Sequence, residues 1–248
     1  DIETVARDFG VTVAGAIPTS HSLQRSSGEL VPIVVNSSRR SRERGHAAES
    51  ILKIRTNLQF MDIDNPPRVI VVTSPLPGDG KSTVSANLAV ALAEACNPVV
   101  LLDGDLRRPV VAESFGLVDG AGLTDVLTGR ATFDDVVQQP ADYPQLGIVS
   151  AGSTPPNPSE LLGSKAMRQF LHSLRQEHVV IIDTPPLLPV TDAAVLNDNA
   201  DGALVVISAG KTLDTQLDAA LSHLEAVNGH VLGVIFNKVA PNRSEEHT

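Results

Sequence analysis

A glycine-rich segment at residues 74–83 combines the residue types that bind phosphate. It reads Ser-Pro-Leu-Pro-Gly-Asp-Gly-Lys-Ser-Thr and follows the apolar run at residues 69–72. Glycines let several backbone N–H groups turn towards one anion, a lysine adds a mobile positive charge, and a serine hydroxyl can ligate Mg²⁺. We therefore predict a phosphate-binding loop formed by Pro77, Gly78, Asp79, Gly80, Lys81, Ser82 and Thr83.

This loop is a variant of the standard pattern, because Pro75 stands where that pattern has its first glycine. The alternative interpretation is a plain Gly/Pro turn that joins a strand to a helix. The apolar run before the loop and a predicted helix at residues 84–95 favour the phosphate site. The positive N-terminal end of such a helix would face the same phosphates.

Aspartates follow two further apolar runs of the chain. Asp103 and Asp105 come after the run at residues 99–102, and Asp183 comes after the run at residues 179–182. An aspartate at the end of a buried strand is costly without a partner, and Mg²⁺ held by the hydroxyl of the phosphate loop is a natural one. We predict that Ser82, Asp103 and Asp183 are metal ligands.

The candidate catalytic residues are Lys81, Asp103, Asp105 and Asp183. The two carboxylates after residues 99–102 could ligate Mg²⁺ through water or accept a proton from an attacking hydroxyl. Arg107 joins this group as a candidate nucleotide-binding residue. The alternative for Asp105 and Arg107 is that they pair or cap the next helix.

Asn237 and Lys238 follow the apolar run at residues 231–236. GTPases place the sequence Asn-Lys-x-Asp at such a strand end, where the aspartate binds guanine. Ala240 occupies the aspartate position here, so we expect ATP rather than GTP. Asn237 is then either an adenine contact or a simple strand-end turn residue.

The distribution of apolar runs predicts the architecture. Strand-like runs occur at residues 69–73, 99–102, 147–149, 179–182, 203–207 and 231–236, and helical patterns occur at residues 47–60, 84–95, 158–176 and 214–227. Continuous apolar strands that alternate with helices indicate a parallel sheet covered on both faces. We predict an α/β fold of the P-loop NTPase type, with a mostly parallel sheet, helices on both faces and a variant phosphate loop.

Composition excludes several classes of function. The chain has 248 residues, of which 42% are hydrophobic, and a net charge of −10, which argues against binding to nucleic acid. No apolar stretch approaches the ~20 residues of a membrane span. The arginine-rich residues 39–44 are the exception to the acidic balance, and they are either a contact for anionic lipid headgroups or a solvated linker.

With these motifs, the chain resembles the bacterial tyrosine kinases, or BY-kinases, which act in capsule and exopolysaccharide synthesis. Leu76 stands where the related partitioning and division-site ATPases have a signature lysine, and Asp103, Asp105 and Arg107 match the BY-kinase form of the second motif. Residues 122–129 and 156–162 also look like that family's sequences between the motifs. The resemblance covers about residues 47–240, and residues 13–18 are similar to the stretch after the second membrane helix in members that are fused to a chain-length-determining domain.

This resemblance implies an ATP- and Mg²⁺-dependent protein-tyrosine kinase at the cytoplasmic face of the cell membrane. Its implied partners are a tyrosine substrate, either the chain itself or a polysaccharide-synthesis enzyme, a membrane chain-length-determinant domain in cis or in trans, and further copies of the chain. The expected domains are a juxtamembrane leader at residues 1–46 that is largely irregular, a P-loop kinase domain at residues 47–241 and a tail at residues 242–248. The alternative function is a partitioning-type ATPase switch that binds a partner protein when loaded with ATP.

Two features depart from the BY-kinase pattern. The motif E-x-x-R-x-x-R, which builds ring-shaped octamers in the family, has Leu52 in place of its first arginine, between Glu49 and Arg55. The family's C-terminal tyrosine cluster is also missing, and Tyr143 is the sole tyrosine. We expect either a truncated tail, a substrate in another protein, or a nucleotide switch with weak kinase activity.

Overall fold

A computed structural model of the chain describes residues 2–19 and 42–240. The described residues form seven strands, which are β1 (Val13–Pro18), β2 (Val69–Thr73), β3 (Val99–Asp103), β4 (Leu146–Val149), β5 (Val179–Asp183), β6 (Gly202–Ser208) and β7 (Val231–Val239). They also form ten helices, which are α1 (Ile2–Phe9), α2 (Arg42–Phe60), α3 (Lys81–Glu94), α4 (Val111–Ser114), α5 (Leu123–Leu127), α6 (Phe133–Val136), α7 (Pro158–Leu162), α8 (Lys165–Leu174), α9 (Asp192–Asn197) and α10 (Asp214–Glu225).

All seven strands lie in one sheet in the order β1-β7-β6-β2-β5-β3-β4, and every neighbouring pair is parallel. This confirms the predicted α/β fold with a parallel sheet. The carboxyl ends of all the strands therefore meet at one edge, which is where parallel sheets bind their ligands.

The sheet is covered on both faces, as its continuous apolar strands require. In β2, Ile70 and Val72 pack into a core with α2 and α3, while Val69 and Val71 pack into a second core with α8, α9 and α10. Every residue of β2 and β3 is buried. No helix among the described residues is long and apolar enough to cross a membrane.

The prediction of a largely irregular leader is wrong for its described residues. Residues 2–18 form α1 and β1, and β1 pairs in parallel with β7 at the edge of the sheet. Ala14 and Ile17 are at most 1% exposed. The strand was missed because it is short and built from small residues. These residues are small because α2 packs closely on the strand: a Cβ on Gly15 would collide with Ile54 of α2. The arginine-rich segment lies mostly outside the described residues.

The helix predicted at residues 158–176 is two helices, α7 and α8. The break falls at Gly163 and Ser164, and the Ser164 hydroxyl accepts a hydrogen bond from the Met167 N–H at 3.2 Å, as a helix N-cap does. Helix α2 also begins at Arg42, five residues before its predicted start, so the predicted domain boundary at residue 47 falls inside this helix.

Candidate active site

The phosphate loop connects β2 to α3 at the carboxyl edge of the sheet. Gly78 and Gly80 have φ angles of +84° and +90°, a conformation that residues with a Cβ rarely adopt. A Cβ on Gly80 would also collide with the side-chain amide of Asn237. Helix α3 begins at Lys81, directly after this turn, so its N-terminal end faces the loop as predicted.

Lys81 and Ser82 both contact the carboxylate of Asp183 at the end of β5. Lys81 Nζ lies 3.3 Å from Asp183 Oδ1, and the Ser82 hydroxyl donates to Asp183 Oδ2 at 2.8 Å. Ser85, which the sequence reasoning missed, donates to Asp183 Oδ1 at 3.2 Å from the next turn of α3. The structure therefore brings the first and third motifs into direct contact, although about a hundred residues separate them.

Asp103 ends β3 directly opposite Asp183 in the register of the two strands. Its carboxylate accepts hydrogen bonds from the backbone N–H groups of Asp105, Val110 and Val111, each at 3.1 Å. Burial, and then the neighbouring Asp183, raise the pKa of Asp103 to about 8. The uncharged form of the Asp103 carboxyl is therefore favoured at neutral pH despite these three donors, and a bound cation would favour the charged form.

Asp105 lies in the loop after β3, with its Oδ2 atom 4.0 Å from Lys81 Nζ. Its Oδ1 atom accepts hydrogen bonds from the backbone N–H groups of Arg107 and Arg108 at 3.3 and 3.0 Å. Burial is the main cause that raises its pKa, against the opposing effects of these N–H groups and of Lys81. The carboxylate is thus held at the edge of the phosphate site.

Arg107 makes a bidentate ion pair with Asp192 at the start of α9. Its Nε and Nη2 atoms lie 3.0 and 3.1 Å from the two carboxylate oxygens, and the hydrogen bond to Asp192 raises the pKa of Arg107. The Asp192 side chain is fully buried and also accepts a short hydrogen bond from the Ser159 hydroxyl. Arg107 does form a pair, but with Asp192, which no motif in the sequence singled out, rather than with Asp105.

Asp79 points its side chain away from the phosphate site. Its Oδ1 atom accepts hydrogen bonds from the hydroxyls of Ser208 and Thr212, at 2.8 and 3.5 Å, and its Oδ2 atom accepts from the Leu76 N–H at 3.3 Å. Asp79 therefore ties the loop to the end of β6, and only its backbone is available to a nucleotide.

Asn237 and Lys238 hold the other side of the loop. The Asn237 amide donates to the carbonyl of Asp79 at 3.0 Å, and Lys238 Nζ donates to the carbonyl of Gly78 at 2.6 Å. One of the two N–H donors of the Asn237 amide is thus already bonded to the loop. The sequence analysis assigned no role to Lys238, although it lies beside Asn237 in the same motif.

A cavity of about 860 Å³ opens over these groups, within the usual size range of small-ligand sites. Its walls come from the phosphate loop, the loops after β3 and β5, the end of β7, and the leader. The leader contributes Ile17, Pro18 and Thr19, and α2 contributes Ile51. A segment that was predicted to be an irregular linker therefore forms part of the site.

The donor set at the loop fits Mg²⁺ in the way that phosphate-transfer enzymes use it. The Ser82 hydroxyl and the buried Asp183 carboxylate converge at the loop. Mg²⁺ typically takes one or two carboxylates and fills its other positions with water and phosphate oxygens. Among residues 2–19 and 42–240, no group of three or more His, Cys, Asp or Glu side chains converges to hold a metal by itself.

The chain matches known families over most of its length. The ParA family model, described as NUBPL iron-transfer P-loop NTPase, matches residues 65–246. The tyrosine-protein kinase YwqD of Bacillus subtilis is 39% identical over 201 residues, which are 81% of this chain and 84% of that protein.

Longer relatives and solved structures agree. The putative tyrosine-protein kinase EpsB of Ralstonia nicotianae is 37% identical over 78% of this chain, which spans only 26% of that protein. The kinase domain of the Escherichia coli tyrosine kinase ETK superposes with a TM-score of 0.86 at 28% identity, over 98% of this chain and 96% of that domain. The phosphate loop, its two aspartate motifs and these similarities lead to one conclusion: the chain belongs to the bacterial tyrosine-protein kinases, on a P-loop NTPase fold.

Proposed function

We propose that this domain transfers the γ-phosphoryl group of ATP to tyrosine side chains of proteins in capsule or exopolysaccharide synthesis. The observation that carries the proposal is the convergence of Lys81, Ser82 and Asp183 at the N-terminal end of α3. The resemblance to YwqD and to the ETK kinase domain supports tyrosine as the acceptor.

Each motif has a defined role in this proposal. The backbone of residues 77–83 binds the phosphates of ATP, and Lys81 neutralises charge on the outer ones. Ser82 and Asp183 hold Mg²⁺, with Asp103 beside them in the next strand. When bound there, Mg²⁺ supplies charge neutralisation at the phosphates, and phosphoryl transfer depends mainly on such positioning and neutralisation.

In this proposal, Asp105 receives the proton of the acceptor hydroxyl. Its carboxylate lies 4.0 Å from Lys81 Nζ, the group that neutralises the outer phosphates in this proposal. Backbone N–H groups orient it without neutralising it. Asp103 assists the metal from deeper in the sheet.

The cellular setting follows from the family resemblance. We propose that the kinase domain includes β1 and the whole of α2, has its tail at residues 242–248, and is located at the cytoplasmic face of the cell membrane. A membrane chain-length-determinant domain, in cis or in trans, and further copies of this chain are its proposed partners. In this chain Leu52 packs against the core, and Arg55 Nη1 donates to the Ala91 carbonyl of α3 at 2.6 Å, so the second arginine of the ring motif has an intramolecular role.

Incubation with labelled ATP, Mg²⁺ and a tyrosine-bearing partner protein tests this function. The full chain should form phosphotyrosine, and Lys81→Met should abolish it. Lys165→Met is a matched control, because Lys165 is exposed at the start of α8 and does not line the cavity. Phosphate release that a partner stimulates, without any phosphotyrosine, would contradict the proposal and favour the partitioning-type switch.

A further inference from the structure

The cavity has two ends on opposite sides of the phosphate loop. Asn237 and Lys238 at the end of β7 form one wall, and the loop after β3 forms the other. In the sheet, β6, β2 and β5 separate β7 from β3. Four strand spacings place the two walls about 19 Å apart. On the proposed function, the phosphates of a nucleotide bind to the loop between these two ends.

On the proposed function, Lys81 binds the outer phosphates, so the β3 end is the end next to them. Lys81 Nζ approaches Asp105 there, and Asp105 in turn binds the backbone of Arg107 and Arg108. An acceptor hydroxyl must reach the outer phosphate, so the acceptor enters at this end. On the proposed function, that acceptor is a tyrosine with its flanking peptide.

Two arginines line this acceptor end, and they differ in their bonding. Arg107 is fixed by its ion pair with the buried Asp192, and its side chain is 41% exposed. Arg108 is exposed, and its guanidinium has no hydrogen-bond or ion-pair partner among the residues that the structure describes. Arg108 is thus an unpaired cation that lines the cavity. The protein as a whole is acidic, with a net charge of −10.

Apolar side chains accompany the arginines. Val110, Pro189 and Val190 line the same end of the cavity, and the ion pair from Arg107 to Asp192 holds the loop of Pro189 and Val190 against the loop after β3. An aromatic ring packs well on such a surface, while free guanidinium groups attract carboxylates. The combination suits a tyrosine with acidic neighbours.

We propose that the acceptor end selects tyrosines flanked by acidic residues, and that Arg108 is a residue that determines this specificity. The proposal rests on the proposed kinase function and names the class of its protein substrate. Arg107 supports the site by joining its two loops, and Arg108 supplies the unpaired charge that an acidic flank neutralises.

Three synthetic peptides test this proposal: one tyrosine flanked by glutamates, one by glutamines and one by lysines. With the full chain and Mg-ATP, kcat/KM for the glutamate peptide should exceed that for the glutamine peptide about tenfold, and the preference should weaken with added salt. Arg108→Glu should reverse the order, so that the lysine peptide becomes the better substrate. Arg130→Glu is the matched control, because Arg130 is exposed elsewhere and should leave the ratio unchanged.

The outcomes separate this inference from the function on which it rests. Equal kcat/KM for all three peptides overturns the inference and leaves the kinase function intact. If Arg108→Glu raises the KM for ATP equally with every peptide and leaves the ratio of their kcat/KM values unchanged, Arg108 contacts the nucleotide instead. That result also overturns the inference. Absence of phosphotyrosine on every peptide overturns the kinase function, and the inference with it.

Discussion

Asp103 and Asp183 lie directly opposite each other on β3 and β5, and both side chains are almost completely buried. Two carboxylates in adjacent strands repel each other, and burial penalises their charge further. Lys81 Nζ contacts only Asp183 of the two. Ionisation of both carboxyl groups therefore costs electrostatic free energy, and a bound cation would reduce this cost.

The stability of the metal-free protein should fall with pH because of Asp103. The folded pKa of Asp103 is raised to about 8, above the unfolded value near 3.9. Between these values the folded state binds more protons than the unfolded state, so each rise in pH weakens folding. Asp103→Asn removes this effect, and the free energy of unfolding of the wild type should fall relative to the variant by about 3–4 kcal/mol between pH 5 and pH 8.

Urea unfolding in a chelator at both pH values measures this difference. Asp142→Asn, at an exposed site, is the control and should follow the wild type. Parallel pH profiles of the wild type and Asp103→Asn would show that Asp103 is charged in both states.

Gly80→Ala should weaken nucleotide binding more than Gly78→Ala. Both positions have a positive φ, so each alanine costs about 1–2 kcal/mol of backbone strain. Only the Gly80 Cβ meets another side chain, the Asn237 amide that bonds to the carbonyl of Asp79, while nothing lies within 4 Å of a Cβ on Gly78. Calorimetry with Mg-ATP should give an affinity for Gly80→Ala about tenfold below that of Gly78→Ala.

The double variant Gly80→Ala with Asn237→Ala checks the cause. It should bind nucleotide better than the sum of the two single effects predicts, because the collision is removed. Strict additivity would mean that Asn237 does not restrict the loop.

Ile17→Ala should destabilise the protein through the leader strand. Ile17 is 1% exposed in β1, and truncation of a buried isoleucine costs about 2–5 kcal/mol. Ile17 also lines the cavity, so the KM for ATP should rise. Thr12→Ala in the same segment is the control: Thr12 is exposed, and its backbone carbonyl keeps its bond to the Val234 N–H. An unchanged unfolding midpoint for Ile17→Ala would show that β1 does not contribute to stability.

Asp201 should stabilise the fold at neutral pH and lose this contribution in acid. Burial alone would raise its pKa, but the N–H groups of Val69 and Arg68 and the guanidinium of Arg175 outweigh burial and hold the pKa below its usual range. A carboxylate with a lowered folded pKa stabilises the protein above its unfolded pKa, and this stabilisation disappears as the pH falls through the folded pKa.

Asp201→Asn should therefore lower the free energy of unfolding at pH 7 by about 1 kcal/mol. The difference in free energy of unfolding between the variant and the wild type should disappear as the pH falls below 4. Urea unfolding at pH 7 and in acid measures it, with Asp142→Asn as the neutral reference. A gap that stays constant with pH would mean that the hydrogen-bond geometry matters and the charge does not.

The local pattern of apolar residues explains which of the predicted strands were confirmed. The runs that became β2, β3 and β5 are apolar throughout, because both faces of a parallel sheet are buried, and this property is visible in any short window. Strand β1 was missed because Ala14, Gly15 and Ala16 have no such signal. Their small size serves the close approach of α2, and only the fold reveals it.

The phosphate loop, its lysine and serine, and an aspartate at the end of each of two buried strands are properties of short segments. Residue type and spacing alone therefore determined the kind of chemistry and the class of fold. The sheet order, the register of Asp103 opposite Asp183, the ion pair of Arg107 with Asp192 and the bond from Lys238 to Gly78 join segments that are 80 to 160 residues apart. Only the tertiary structure decided these relationships, because contacts at such separations depend on how the whole sheet packs.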